Sequence, residues 1–481
     1  MAKVETASEL DTETFVSWRE FLSSSHAPSL ILVSLAVWLH AADSLIVATM
    51  LPAIVATVGG AALVGWSISL YEIGSIVAGA ASALLTMRYG LRGPMSCAAV
   101  LFGLGCVVSA VGSTMPQILV GRALQGLGGG GLVAMALVAV GVIFPRRYTA
   151  RAMAVVSTFW GASAFTGPLI GGFFVEYATW RWGFVFFALQ AFGLALWIIL
   201  RRDAGLARAS TVAPVFPLRR LAVLCLAVIL VASGGIEISL MRTATLVACG
   251  LICLSVFLWL DGRAGENRLL PLFPYDIRRA TGAALILVMS LTIASIAILA
   301  FGPLLVTAIH NASALIAGYI IACSSVGWTI MALLVSGSPE RFDRAMIALG
   351  TMLVTLSVVG FVYAVPNGPI WLIAAFAAME GGGFGMAWTF ILRRTTALAD
   401  KSDVQRISGA IPTVQRLGYA LGAAYVGIIA NASGLVAMES PAAAADVAYL
   451  VFVACLPFAI LAVIAMAALV LMPTEEEFPY N

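Results

Sequence analysis

The chain has 481 residues, 62% hydrophobic and 10% charged, with 26 basic and 23 acidic side chains and a formal net charge of +3. A soluble domain is about 45–50% apolar and about 25% charged, so this composition excludes a water-surrounded globule, a disordered chain and a nucleic-acid binder. The only lysines, Lys3 and Lys401, lie in no phosphate-loop pattern, which argues against a built-in ATP motor.

Residues 1–29 are polar and mostly acidic and read as a cytoplasmic tail with a short surface helix near residues 15–21. The apolar run that follows is too long for a secretion-signal core. A helix needs about 20 apolar residues to cross the hydrocarbon core, and runs that meet this need fall at 30–56, 62–86, 94–113, 116–144, 150–175, 180–200, 219–236, 243–260, 281–309, 313–336, 343–365, 369–392, 406–432 and 445–472. These fourteen candidates have soft breaks near 237–242 and 309–313. Backbone in lipid must satisfy its own hydrogen bonds, so the spans are expected to be helices.

The loops alternate in basic residues. One set carries Arg88 and Arg92; Arg146, Arg147 and Arg151; Arg201, Arg202, Arg208, Arg219 and Arg220; Arg263, Arg268, Arg278 and Arg279; Arg341 and Arg344; and Arg393, Arg394, Lys401 and Arg406. The opposite set holds only Arg181 and Arg242. The positive-inside rule makes the first set cytoplasmic and places both termini on the cytoplasmic side of the cell membrane, as an even span count also requires. The seven cysteines lie in apolar stretches and the three histidines are scattered, so neither a disulfide framework nor a metal site is expected. No nucleophile–base constellation marks an enzyme, and no cofactor is expected. Asn311-Ala-Ser313 and Asn431-Ala-Ser433 match the glycosylation pattern but lie so close to helix ends that chance explains them better.

The chain repeats itself. Leu51-Pro52 aligns with Gly302-Pro303, Gly65-Trp66 and Gly74 with Gly318-Tyr319 and Gly327, Arg88-Tyr89 with Arg341-Phe342, Gly128-Gly129-Gly130 with Gly381-Gly382-Gly383, and Gly167-Pro168 with Gly418-Tyr419, all at offsets of 251–253. The repeat pairs the first six spans with the last six and leaves the seventh and eighth as an inserted hairpin. This predicts an all-α polytopic protein of two six-helix bundles in parallel pseudo-two-fold repeat plus a two-helix hairpin. The expected divisions are a tail at 1–29, an N-terminal bundle at 30–200, a linker with the hairpin at 201–280, a C-terminal bundle at 281–472 and a second cytoplasmic tail at 473–481.

Five ionisable residues fall deep within spans: Asp43, Glu72, Arg122, Glu380 and Arg416. An intramembrane charge costs about 3 kcal/mol on insertion scales and marks a pathway or relay by default. Structural neutralisation of three acids by two bases is the competing reading. An acid desolvated in a cavity can bind and release a proton near neutral pH. His40 lies three residues before Asp43, on the same helix face, where it can tune Asp43 or relay to it, although a lone helical histidine is more often incidental. Gly126–Gly131 spells a dinucleotide fingerprint in the middle of an apolar helix, where it reads as close helix packing.

These residues resemble the major facilitator superfamily in its fourteen-span drug:proton antiporter branch. Asp43–Pro52 resembles the branch's first-helix motif, with Asp43 on its acid. Gly121-Arg122-Ala-Leu-Gln125-Gly126 resembles the fourth-helix motif, whose arginine the family links to proton coupling. Gly167-Pro168-Leu-Ile-Gly171-Gly172 is similar to the fifth-helix gating and packing motif, with Ser163 where a glycine often precedes. The loop motif between the second and third helices is matched by Arg88, Gly90 and Arg92, with Met87 in place of its aspartate. Its second-half copy is Glu340-Arg341-Phe342-Asp343-Arg344. Glu72 departs from the usual apolar residue beside the expected Tyr71, a distinctive candidate for coupling or for a cationic substrate.

The resemblance implies a secondary active transporter that moves small-molecule substrates against protons. The leading expectation is a monomeric multidrug-efflux antiporter for lipophilic or cationic compounds, working by alternating access, with Asp43, Glu72, Arg122, Glu380 and Arg416 as coupling candidates. A lipid or dedicated metabolite transporter of the same fold is the alternative, and a non-transporting receptor or scaffold is the alternative of another class.

Overall fold

A computed structural model describes residues 18–23, 27–144, 146–201, 216–399 and 403–472. The expectations for residues 1–17 and 473–481, and those for Arg202, Arg208 and Lys401, lie outside the described residues. The helices, in chain order, are α1 (Trp18–Ser23), α2 (Ala27–Val58), α3 (Val64–Tyr89), α4 (Arg92–Val111), α5 (Met115–Ile143), α6 (Arg146–Tyr177), α7 (Trp180–Leu200) and α8 (Leu218–Ser233). They continue as α9 (Leu240–Gly262), α10 (Ala280–His310), α11 (Ala314–Val335), α12 (Asp343–Asn367), α13 (Ile370–Ala397), α14 (Val404–Ala432) and α15 (Pro441–Leu471).

Among the described residues, fourteen long helices, α2–α15, thus lie at the fourteen positions where apolar runs occur. Twelve are long and apolar enough to cross a membrane. The other two are α8, whose 16 residues reach about 24 Å against a hydrocarbon core of about 30 Å, and α14, which carries Arg406, Gln415 and Arg416. Local chemistry sets the ends. Asn311 takes a left-handed conformation (φ 52°) and Ser313 caps α11 by accepting from the Ile316 N–H, so the soft break at 309–313 is a true one. Ser440 caps α15 in the same way, ahead of Pro441. The expected surface helix in the tail is α1, yet Phe21 is buried against Phe144 and Tyr148 at ring distances of 6.2 and 5.6 Å.

Buried side chains fall into two large cores. One is built from α1, α2 and α4–α7. The other is built from α8–α15 with a few residues of α2 and α3. The repeated glycines close corresponding crossings in the two. A Cβ on Gly74 of α3 would stand 2.7 Å from Leu127 N of α5, and one on Gly327 of α11 would stand 2.1 Å from Ala378 O of α13. The hairpin partner α8 packs on both α3 and α14, and α9 packs mainly on α8. Asp261 at the end of α9 accepts from Arg220 of α8 at 2.5 Å and from the Leu269 and Leu270 N–H groups, which folds the connection to α10 against the hairpin.

The two cores meet along α3 with α14 and along α6 with α11. Ser69 donates to Ala420 O at 2.8 Å, and Asn431 donates to Ala62 O and to Gly235 O at 2.8 and 2.7 Å. On the other seam Phe165 meets Tyr319 at 5.6 Å, and a Cβ on Gly172 would touch Leu315. These contacts lie toward the arginine-poor end of the helices. Gly79 and Gly409 continue the same faces of α3 and α14 two turns beyond Glu72 and Arg416, and a Cβ at either would meet nothing within 4 Å. The halves are therefore joined at the arginine-poor end and splayed at the arginine-rich end.

Candidate functional site

Four of the five intramembrane charges converge where the seam begins to splay. Asp43 on α2 and Arg122 on α5 form an ion pair at 2.5 Å, with side chains only 2% and 3% exposed. Arg122 also donates to Gln125 Oε1 at 2.6 Å, and Gln125 Nε2 donates to Cys106 Sγ at 3.3 Å. The guanidinium of Arg122 lies 4.4 Å from the ring centre of Tyr71 on α3, a cation–π contact in a dry setting. A Cβ on Gly126 would stand 2.2 Å from Tyr71 O, so the glycine lets α5 come this close.

The second pair crosses between the halves. Arg416 on α14 reaches Glu72 of α3 at 3.3 Å and donates to Ser75 Oγ at 2.8 Å. Its side chain is 23% exposed, and that of Glu72 is 12% exposed. This pair borders the splayed cleft, whereas Asp43 and Arg122 lie behind it.

His40 joins the two. Its Nε2 is 3.2 Å from Arg416 Nη2, its Nδ1 is 2.8 Å from Tyr71 Oη, and its backbone carbonyl accepts from Tyr71 at 3.2 Å. An arginine N–H only donates, so Nε2 is the acceptor. The ring proton then belongs on Nδ1, which donates to Tyr71, and the tyrosine hydroxyl donates to the His40 carbonyl. Trp160 of α6, 44% exposed, meets the imidazole edge-on at 5.9 Å. Asp43, Arg122, Tyr71, His40, Arg416 and Glu72 therefore form one continuous polar chain from the closed N-terminal half to the cleft.

The placement differs from the sequence expectation in three respects. His40 does not contact Asp43, because it turns to Tyr71 and Arg416 instead. Glu380 lies apart, buried in the C-terminal half on α13 with Ser324 Oγ at 3.5 Å. Ser75 and Trp160 carry no signal in the sequence, and Tyr71 and Gln125 stand there only as motif neighbours of Glu72 and Arg122.

The motif glycines of α6 face two partners. Cβ atoms on Gly167 and Gly171 would meet Leu45 and Ile46 of α2, and one on Gly172 would meet Leu315 of α11, while Pro168 packs on Gly318. Among the loop residues, Gly90 has φ 71° and ends α3, and Arg92 donates to Ile199 O. Arg88 and Arg341 lie over Tyr89 and Phe342 at 5.3 and 4.9 Å, and Arg344 donates to Met472 O. The acid that pairs in the second-half copy is Asp343, with Arg393 of α13 as its partner, and no ion pair of Glu340 is found among the described residues. Groups of three or more potential metal ligands are likewise absent among the described residues.

Comparison with known proteins places the architecture. The chain is 28% identical over 438 residues to a protein of Mycobacterium tuberculosis named as a probable multidrug-efflux transporter, covering 89% of this chain and 91% of that one. A shorter stretch of 170 residues, 35% of the chain and 29% of the relative, is 32% identical to the efflux pump dotC of Dothistroma septosporum. Among solved structures, a peptide transporter of the POT type in complex with sulfate superposes with a TM-score of 0.67 at 17% identity, covering 95% and 96% of the two chains. A bacterial homologue of the human lysosomal transporter Spinster superposes at 0.65 and 13% identity, over 93% and 96%. The profile of the Major Facilitator Superfamily matches residues 33–336. The chain is a multi-pass membrane protein of a transporter family rather than an enzyme family, and it belongs to the Major Facilitator Superfamily.

Proposed function

We propose that this protein is a proton-coupled antiporter that exports small lipophilic or cationic compounds from the cell by alternating access. The observation that carries this reading is the polar chain from Asp43–Arg122 to Arg416–Glu72, because it links a buried acid–base pair within one half to a contact between halves. The whole-length likeness to a relative named as a multidrug-efflux transporter supports export as the direction and drugs as the cargo.

In this reading all fourteen long helices span the membrane. Residues 30–200 and 281–472 are the rocking bundles, 201–280 is the linker with its hairpin, and the protein acts as a monomer. The arginine-rich loops and both termini lie in the cytoplasm, so the splayed end is the inward-facing mouth. A proton on Asp43 removes the charge that holds Arg122, and the freed guanidinium then leans on Tyr71 and, through it, on His40. The Arg416 contact weakens and the seam rearranges. A proton or cargo at Glu72 acts on Arg416 directly. Cargo and proton need not touch, since each changes the same contact between halves.

The test is substrate-driven proton flux in proteoliposomes, read with an internal pH dye while an ethidium gradient is imposed. Wild-type protein is expected to acidify or alkalinise the lumen according to the gradient's direction, and Asp43→Asn or Glu72→Gln to uncouple it. If both variants keep full coupled flux, the assignment is wrong.

A further inference from the structure

Glu380 is the intramembrane acid that the cross-half chain does not use. It is 3% exposed, at the eleventh residue of α13, about 15 Å into that helix. Its Oε2 has a long contact from Ser324 of α11, and its Oε1 has no hydrogen-bond partner. Ser295 of α10 is the second hydroxyl near the carboxyl group. Among the described residues no arginine, lysine or histidine pairs with it, whereas Asp43 and Glu72 each have an arginine. A buried carboxyl group without a base is neutralised either by a bound proton or by a cation from outside the chain.

The surroundings point to an organic cation. Phe384 lies one turn from Glu380 on α13, and Trp328 lies one turn from Ser324 on α11. The two rings stack at 5.5 Å with an interplanar angle of 15°. Trp388, one further turn along α13, tilts against Trp328 at 5.9 Å. Both tryptophans are half-buried. The three rings form a wall running from the acid toward the arginine-rich end, where the halves splay. Aromatic faces beside an acid attract a desolvated cation through both the ring quadrupole and the full charge.

We propose that Glu380, with Trp328, Phe384 and Trp388, holds the charged group of a lipophilic monocation. The C-terminal half would then recognise cargo, while Asp43 and Arg122 carry the proton in the N-terminal half. This rests on the export reading above for the direction of movement, but not for binding itself.

The test measures equilibrium binding to the full-length protein in lipid nanodiscs, with tetraphenylphosphonium as the cationic probe and triphenylphosphine oxide as the uncharged one. Glu380→Gln is expected to raise the Kd for tetraphenylphosphonium by about tenfold or more, and that for triphenylphosphine oxide by less than about twofold. Glu380→Asp should fall between. Trp328→Ala should weaken both probes, and tetraphenylphosphonium the more. If Glu380→Gln does not fold, the aspartate and tryptophan variants give the same reading. A Kd for tetraphenylphosphonium unchanged in all three, equal loss of both probes in Glu380→Gln, or no binding of tetraphenylphosphonium to wild type would each overturn the site. Failure of the export reading looks different: wild type would bind the cation in a Glu380-dependent way yet move no protons when its gradient is imposed.

Discussion

The Arg416 guanidinium donates to Nε2 of His40 across 3.2 Å, although the two residues are 376 positions apart and belong to different halves. The contact needs the imidazole lone pair at Nε2. A second proton on the ring would remove that lone pair and set two cations face to face. The same guanidinium serves Ser75 and Glu72, so one side chain ties α2, α3 and α14 together at the level where the halves begin to part.

Arg416→Lys is therefore not a conservative change. An ammonium keeps the charge but lacks the planar fork that reaches Ser75, Glu72 and His40 at once. Substrate-driven flux is expected to fall about tenfold or more, equivalent to about 1.4 kcal/mol in the transport barrier, with the thermal unfolding midpoint in detergent little changed. His40→Gln, whose side-chain carbonyl can accept from Arg416, should retain more flux than His40→Ala. Equal flux in those two variants would show that the acceptor at this position does not matter.

Asp43 and Arg122 allow the structural and coupling roles to be separated. Removing one partner of a buried pair leaves an uncompensated charge, at a cost of about 3 kcal/mol or more. Asp43→Ala and Arg122→Ala should each lower the unfolding midpoint, and the double variant should recover much of the loss. Coupled proton flux should stay absent in all three. Recovery of flux along with stability in the double variant would reduce the pair to structural neutralisation.

The helix positions were legible because apolar run length is a one-dimensional property, and so was the repeat, since Gly74 with Gly327 and Gly128–Gly130 with Gly381–Gly383 keep their offsets. The faces of the helices were not legible. In a membrane both the core side and the lipid side of a helix are apolar, so no polar stripe reports its rotation. That is why His40 read as a neighbour of Asp43 by spacing, yet in the fold it turns to α3 and α14. It is also why Glu380 could not be told from the paired acids: its lack of a base depends on how α10, α11 and α13 pack. In the loop repeat, Glu340 and Asp343 both fit the pattern, and only the approach of Arg393 selects Asp343.

Close helix packing beside the Glu380 site gives a prediction with an internal control. A Cβ on Gly381 would stand 1.7 Å from the backbone oxygen of Ser324, a distance no rotamer change can relieve. Gly381→Ala must push α11 and α13 apart, so the unfolding midpoint should drop by several degrees and tetraphenylphosphonium binding should weaken with it. Gly79→Ala, with nothing within 4 Å, should leave both unchanged. A tolerated Gly381→Ala would contradict the tight α11–α13 crossing and the geometry of the cation site built on it.

The arginine-poor end is held by Asn431, whose side-chain amide donates to Ala62 O ahead of α3 and to Gly235 O after α8. With both N–H bonds directed inward, this asparagine is a seam residue and not a presented glycosylation acceptor. Asn431→Ala removes two hydrogen bonds worth about 1 kcal/mol each, and Asn431→Asp also turns a carboxylate toward two carbonyl oxygens. Opening of this end should become about tenfold or more easier in the alanine variant and easier still in the aspartate variant. Hydrogen–deuterium exchange of peptides covering residues 59–70 and 423–435 reads this directly, with faster exchange in the order Asp, Ala, wild type. The ordering is the decisive part. Simple loss of packing would make alanine, the smaller side chain, the more disruptive change, whereas a seam latched by donated hydrogen bonds makes aspartate the worse one.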